Sequence, residues 1–387
     1  MLDKALSGSS RYWTWVIALM AIIGIGFVFW VQQMIEGLTI TGLSRDVTWG
    51  LYIAQLTFFV GVAASAVMVV LPYYLHDYKE FGKLTILGEF LAIPAVIMCM
   101  AFVFVDMGQP IRIVNVFLHP SPTSPMFWDT VALFGYLVLN VVIAYVTFGA
   151  EKKGIAPPKW IKPIIILSIP WAVSIHTVTA FLYSGLPGRG FWLTAIMAPR
   201  FLASAFAGGP AILILLVLLV RKLTKFDPGL KPIFKLAEIV TYAMLVNVFF
   251  VLMEIFTVFY SQIPGHMDHF TFLYVGLDGN TTLVPWMWTS TILAAVALFL
   301  LLVPKLRRNE KVLPVACGSV IVSIWIDKGL GLMTGGFVPT PTHHVVSYVP
   351  TLPEIMITLM VYGVGALILT VLYKIAITER EIIEQVK

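Results

Sequence analysis

What most constrains this chain is the recurrence of apolar runs about 20 residues long, the length of helix that crosses ~30 Å of hydrocarbon. Runs bounded by polar or Pro/Gly-rich breaks fall at roughly 12–33, 49–75, 86–107, 127–149, 162–184, 200–221, 236–261, 283–303, 313–334 and 354–376. They leave no stretch of the 387 residues long enough for a separate soluble domain. Only 12% of residues are charged and the mean hydropathy is +0.93, whereas a soluble domain carries roughly twice that charged fraction. The pattern predicts an all-α integral membrane protein of about ten transmembrane helices, one polytopic domain over 1–387. Lys4 and Arg11 precede a first run too long for the apolar core of a cleavable signal, so it is expected to be span 1.

Direction follows from lysine and arginine. The N-terminus, the even-numbered loops and the C-terminus, Lys387 included, hold about 20 of them; the odd-numbered loops hold about 4, namely Arg45, Arg112, Arg189 and Arg200. This bias predicts a multi-pass protein of the cytoplasmic (inner) membrane with both termini in the cytoplasm. It also accounts for a sequence pI near 9.0 without a nucleic-acid partner. The outward face would then carry "FVDMGQPIRIVNVFLHPSPTSPMFWD" (104–129), "LPGRGFW" (186–192) and the His343-His344 loop. The first concentrates Asp106, Gln109, Arg112, Asn115, His119 and Asp129 at one helix–loop–helix corner.

An ionisable side chain inside a bilayer is costly unless it pairs or meets water, so each is a functional candidate. Glu89, Asp106, Asp129, His176, Glu238, Glu254, Asp327 and Lys328 qualify. Asp327 and Lys328 are neighbours that point about 100° apart on a helix, so each needs a partner from elsewhere. Glu89 and Glu238 lie near the basic ends of their spans, where a structural role suffices. His176, with Thr177, Thr179, Tyr183 and Arg189 following, is a natural hydrogen-bond and proton partner for a quinone carbonyl, because imidazole titrates near neutrality.

Of the 7 histidines only His176 falls within a span, which argues against a haem held by two axial histidines. Cys99 and Cys317 are isolated, with no metal or disulfide spacing. No haem or iron–sulfur cluster and no metal site is therefore expected in this chain. Small residues in span 2 (Gly61, Ala64, Ser65) and in span 6 ("AFAGGPAIL", 205–213) predict close helix packing. Their positions suggest a parallel repeat: two four-helix bundles, spans 2–5 and 6–9, plus two flanking helices.

"WGLYIAQLTFFVGVAASA", "VDMGQPIRIVNVFLHPSPTSPMFWD" and "HTVTAFLYSGLPGRGFW" resemble, in order, three signature regions of the NrfD/PsrC family, the membrane subunits of polysulfide reductase and related respiratory complexes. The opening residues and "TGLSRDVTWGLYIAQ" look most like the DsrP branch, found in the DsrMKJOP complex of sulfur metabolism. The resemblance implies an electron-transfer subunit of a quinone-linked oxidoreductase complex. It would exchange electrons between menaquinone or menaquinol and a periplasmic iron–sulfur subunit, linked to dissimilatory sulfite/sulfate metabolism. It implies as partners a DsrO-like iron–sulfur subunit, a multihaem cytochrome c and a DsrM/DsrK-like redox module. By motif, Tyr52, Gln55, Asp106, Arg112, Asp129, His176 and Arg189 would bind the quinone, with His176 and Asp129 carrying its protons. Two other readings stay open from the residues: a proton-coupled secondary transporter, and a purely structural anchor for a redox partner.

Overall fold

A computed structural model describes residues 4, 6–76 and 78–386; Lys387 lies outside the described residues. Ten helices among them are long and apolar enough to cross a membrane. They are span 1 Ser10–Ile40, span 2 Leu51–Leu75, span 3 Lys79–Asp106, span 4 Pro125–Lys152 and span 5 Ile161–Ser184, then span 6 Met197–Leu223, span 7 Leu230–Tyr260, span 8 Val284–Leu302, span 9 Leu313–Phe337 and span 10 Leu352–Glu381. Each of the ten runs read from the sequence overlaps one of them. The protein is a multi-pass integral membrane protein. A short helix, Pro264–Tyr274, follows span 7.

Several ends are set by local chemistry. Pro125, Pro264 and Pro285 each occupy the first turn of a helix, where proline's missing N–H removes nothing. Span 10 begins with a capping box: the Thr351 N–H donates to Glu354 Oε2 at 2.9 Å and the Glu354 N–H to Thr351 Oγ1 at 3.5 Å.

Span 2 is the hub. Its most apolar window is 94% buried, and it packs against spans 3, 5, 6, 9 and 10. Spans 3 and 4, 4 and 5, 6 and 7, 8 and 9, and 6 and 9 also pack together, and span 1 lies along span 10. The two small-residue stripes meet: a methyl group on Gly209 would lie 3.0 Å from the Gly61 carbonyl oxygen and 3.2 Å from Ser65 Cβ. Spans 2 and 6 therefore touch backbone to backbone, the gain in dispersion contact that drives helix association where lipid is as apolar as the side chains.

The two ends differ chemically. At the lysine-rich end Arg380 grips Glu151 at 2.7 Å, Glu379 meets Lys4 at 2.6 Å and Lys152 at 3.0 Å, and Arg221 bridges Asp227 and Glu310. At the lysine-poor end the 184–193 loop, the Pro264–Tyr274 helix and the 339–343 segment form a groove of about 570 Å³. His269 is buried there, its Nδ1 3.0 Å from the Val338 carbonyl, and burial lowers its pKa below the ordinary imidazole value. Cys99 and Cys317 are free and buried, as expected of small core residues.

Candidate functional site

The polar corner divides. Asp129, one turn into span 4, is buried; Asp106, at the end of span 3, is half-buried, and Gln109, Arg112, Asn115 and His119 are exposed on the connecting segment. The loop prolines and the short helical turns Pro110–Val114 and Asn115–Leu118 carry the exposed residues away from the helix core. Two carboxyl groups therefore face protein, and the remaining polar groups face outward.

Span 2 distributes its polar side chains to different neighbours. The Tyr52 hydroxyl donates to Gln33 Oε1 of span 1 at 2.8 Å, and Gln33 Nε2 donates to the Val105 carbonyl at 2.7 Å. Gln55 Oε1 accepts from Trp325 Nε1 of span 9 at 2.7 Å and from the Tyr362 hydroxyl of span 10. Among the described residues, buried Gln55 Nε2 has no hydrogen-bond partner, and neither has Asp106 Oδ1. Glu354 lies close enough to act on both Tyr52 and Asp106. Its carboxylate accepts from the Gly42 N–H at 2.7 Å and the Tyr348 hydroxyl at 2.8 Å. Burial and this carboxylate raise the Tyr348 pKa well above the phenol range, so Tyr348 stays a donor. Tyr52, Gln55 and Asp106 thus belong to one cluster, completed by spans 1, 9 and 10.

Asp129 and His176 belong to a second cluster, toward spans 4 and 5. Thr179 Oγ1 donates to Asp129 Oδ1 at 2.6 Å. His176, fully buried, holds Nδ1 2.6 Å from the Ala172 carbonyl. That bond protonates Nδ1 and leaves Nε2 as the acceptor of the neutral ring. Nε2 has no hydrogen-bond partner among the described residues, although the Val60 carbonyl is close. His176, Thr179 and Tyr183 share one helix face by their spacing. Tyr183 reaches span 2 through Thr57 at 2.6 Å and packs on Trp49, Trp192 and Phe201.

The other two residues assigned by motif sit apart. Arg112 is exposed, and its side chain makes no hydrogen bond or ion pair among the described residues. Arg189 Nη1 donates to the Phe337 carbonyl at 3.3 Å and its guanidinium stacks 4.4 Å over the Phe337 ring; it braces the loop after span 5 against the end of span 9.

Span 9 brings the second half of the chain to the hub. Residues Trp325–Gly331 form a π-helical segment, a widened turn that changes the side-chain register. Asp327 meets Arg200 of span 6 at 2.9 Å, and Arg200 also meets Glu254 of span 7 at 2.6 Å. Lys328 instead donates to the Phe201 carbonyl at 3.4 Å and lies 4.3 Å over the Phe201 ring, beside Gly61 of span 2. The neighbouring pair does find partners on other helices. Glu238 is paired with Lys235 at 3.2 Å, and Glu89 accepts from Thr147 at 3.3 Å.

Gln33 and Glu354 were missed in the sequence because both sit at span ends, where polar residues are ordinary. Thr351-x-x-Glu354 was the available signal for Glu354. Among the described residues no group of three or more His, Cys, Asp or Glu side chains is arranged to hold a metal ion.

The fold is that of a ten-span helical membrane protein whose central helix is flanked by buried polar atoms with no hydrogen-bond partner among the described residues. Residues 39–338 match the family model described as polysulphide reductase, NrfD, and the chain belongs to that family. It is similar to a Halobacterium salinarum protein described as a dimethyl sulfoxide reductase membrane subunit, 28% identical over 92% of this chain and 89% of that one. It is also similar to the Hdr-like menaquinol oxidoreductase integral membrane subunit of Archaeoglobus fulgidus, 25% identical over 65% of this chain and 62% of that protein. A third relative is the menaquinone reductase integral membrane subunit of Nitratidesulfovibrio vulgaris, 20% identical over 94% and 91%.

Proposed function

We propose that this chain is the quinone-reactive membrane subunit of a respiratory redox complex, exchanging electrons between menaquinone or menaquinol and a periplasmic iron–sulfur subunit. The observation that carries the reading is three of the buried polar atoms on or beside span 2 that lack a hydrogen-bond partner among the described residues: Gln55 Nε2, Asp106 Oδ1 and His176 Nε2. Buried polar groups are otherwise almost always hydrogen-bonded. Two relatives bear names of menaquinol- or menaquinone-reactive subunits, which supports the ligand class.

Across the two clusters these atoms offer one donor and two acceptors, the groups that recognise ring oxygens and hydroxyls. A bound quinone or quinol supplies two-electron, two-proton chemistry. Gln55 Nε2 can donate to a ring oxygen, while Asp106 Oδ1 and His176 Nε2 can each accept from a hydroxyl. Glu354, whose oxygens already accept from backbone and phenol donors, stands beside Asp106. Thr179 holds Asp129 in place, and Asp129 and His176 are the groups of the second cluster able to take and pass a proton. Tyr52 positions Gln33 rather than pointing into open space. Partners resembling DsrO, a multihaem cytochrome c and DsrM/DsrK, and a role in sulfite/sulfate metabolism, follow from the sequence resemblance alone and belong to this proposal.

Binding tests the reading. A menaquinone analogue titrated into the purified complex should quench tryptophan fluorescence saturably. Asp106→Leu and His176→Leu should each weaken that binding at least tenfold, and Lys222→Gln at the lysine-rich end should not change it. Unchanged affinity in both site variants would discard the reading.

The proposed orientation places the lysine-poor end in the periplasm. A membrane-impermeant thiol reagent added from that side should label a cysteine at Asn280 and spare one at Asn309. The reverse pattern would move the docking face to the other side of the membrane.

A further inference from the structure

A second cavity lies in the other half of the molecule. It measures about 520 Å³ and is walled by spans 7, 8 and 9 and the Pro264–Tyr274 helix, with no residue of span 2 in its lining. Phe259, Phe270, Trp288 and Leu298 make it mainly apolar. It opens toward the lipid-facing surface, where Trp288 is half exposed. Asp327, held by Arg200, and the Asn247 amide are among its polar groups. Asn247 is 4% exposed, and its Oδ1 has no hydrogen-bond partner among the described residues.

We infer that this cavity is a second amphiphile site, which binds a hydroxylated aromatic ring on an isoprenoid tail: a quinol distinct from the one beside span 2. The choice of ligand class rests on the function proposed above; the existence of the site does not. An acyl chain would satisfy the apolar walls and leave Asn247 unpartnered. Water would satisfy Asn247 and leave the walls wet. A ring hydroxyl donates to an amide oxygen or a carboxylate, the ring lies against aromatic walls, and the tail leaves through the lipid-facing opening. The volume is of the order that encloses a small organic ligand, roughly 300–1,000 Å³. Asp327 and Lys328 then serve different neighbours from one π-helical segment, Asp327 lining this cavity and Lys328 lying beside Gly61 of span 2.

The experiment is photolabelling of the intact complex in lipid nanodiscs with a photoreactive naphthoquinol bearing a short isoprenoid tail, followed by peptide mapping. Label should appear on spans 7 and 8 as well as on spans 2 and 5. Asn247→Leu, which removes the acceptor, and Ala294→Phe, which fills the cavity, should each cut the span 7–8 label at least tenfold. The span 2–5 label should not change in either variant, which reports an intact fold. No label on spans 7 and 8 would overturn the inference. So would equal labelling by a photoreactive fatty acid of the same length together with indifference to Asn247→Leu, the signature of a lipid chain. Label on spans 7 and 8 with none on spans 2 and 5 would instead reject the site beside span 2 and leave this one standing.

Discussion

Replacing Arg200 by leucine should prevent most of the protein from reaching a stable folded state in the membrane. Arg200, 8% exposed, joins Glu254 and Asp327 across spans 6, 7 and 9. Without it two carboxylates remain buried with no counter-charge between them. Removing one partner of a buried ion pair costs about 3–5 kcal/mol, and hydrocarbon around the bundle offers no water to soften that. The measurement is the fraction of chain recovered monodisperse in mild detergent, with its thermal midpoint. The triple change Arg200→Leu, Glu254→Gln and Asp327→Asn removes the charges together and should recover much of the loss. Equal damage from the triple and single changes would mean that Arg200 acts through packing and not through charge.

If the function proposed above holds, changing His176 to glutamine should slow quinol-linked electron transfer by about an order of magnitude or more while leaving assembly intact. Glutamine keeps a hydrogen-bonding head but cannot titrate, and loss of a general acid–base group costs on the order of 10²–10⁴ in rate. His176 lies in the second cluster with Asp129 and Thr179, so Asp129→Asn should slow turnover too and alter its pH profile. Affinity for a menaquinone analogue separates the roles: a proton carrier loses rate at nearly constant affinity, and a ligand-holding residue loses both. Wild-type turnover and affinity in His176→Gln and His176→Ala would remove His176 from the site.

Much of this was legible in the chain itself. A bilayer permits backbone to cross only as a helix that satisfies its own hydrogen bonds or as a closed barrel. Ten apolar runs therefore fixed ten helices, and the structure places one on each. The glycine and alanine stripes of spans 2 and 6 announced close approach, because small side chains have few other uses on buried helix faces; Gly61 and Gly209 indeed meet. Spacing alone also required partners from other helices for Asp327 and Lys328.

The tertiary structure decided what those polar residues face. Tyr52, Gln55 and Asp129 come from motifs that read as one set, yet they sit on two helices, spans 2 and 4, each of which aims its side chains by its own rotation. Gln55 consequently meets Trp325 and Tyr362 from the far end of the sequence, while Asp129 stays with Thr179 of span 5. Gln33 and Glu354 joined the first cluster through contacts 72 and 312 residues away along the chain. No periodicity records a pairing of that range. The widened turn at Trp325–Gly331 is likewise invisible to a 3.6-residue pattern, and it sends one of two adjacent charges to Arg200 and the other to span 2. The sequence by itself determined how many helices cross the membrane and which residues lie within them, because hydrophobic length and charge are local properties. What each of those polar residues meets depended on helix rotation and helix pairing, which only the packed bundle sets.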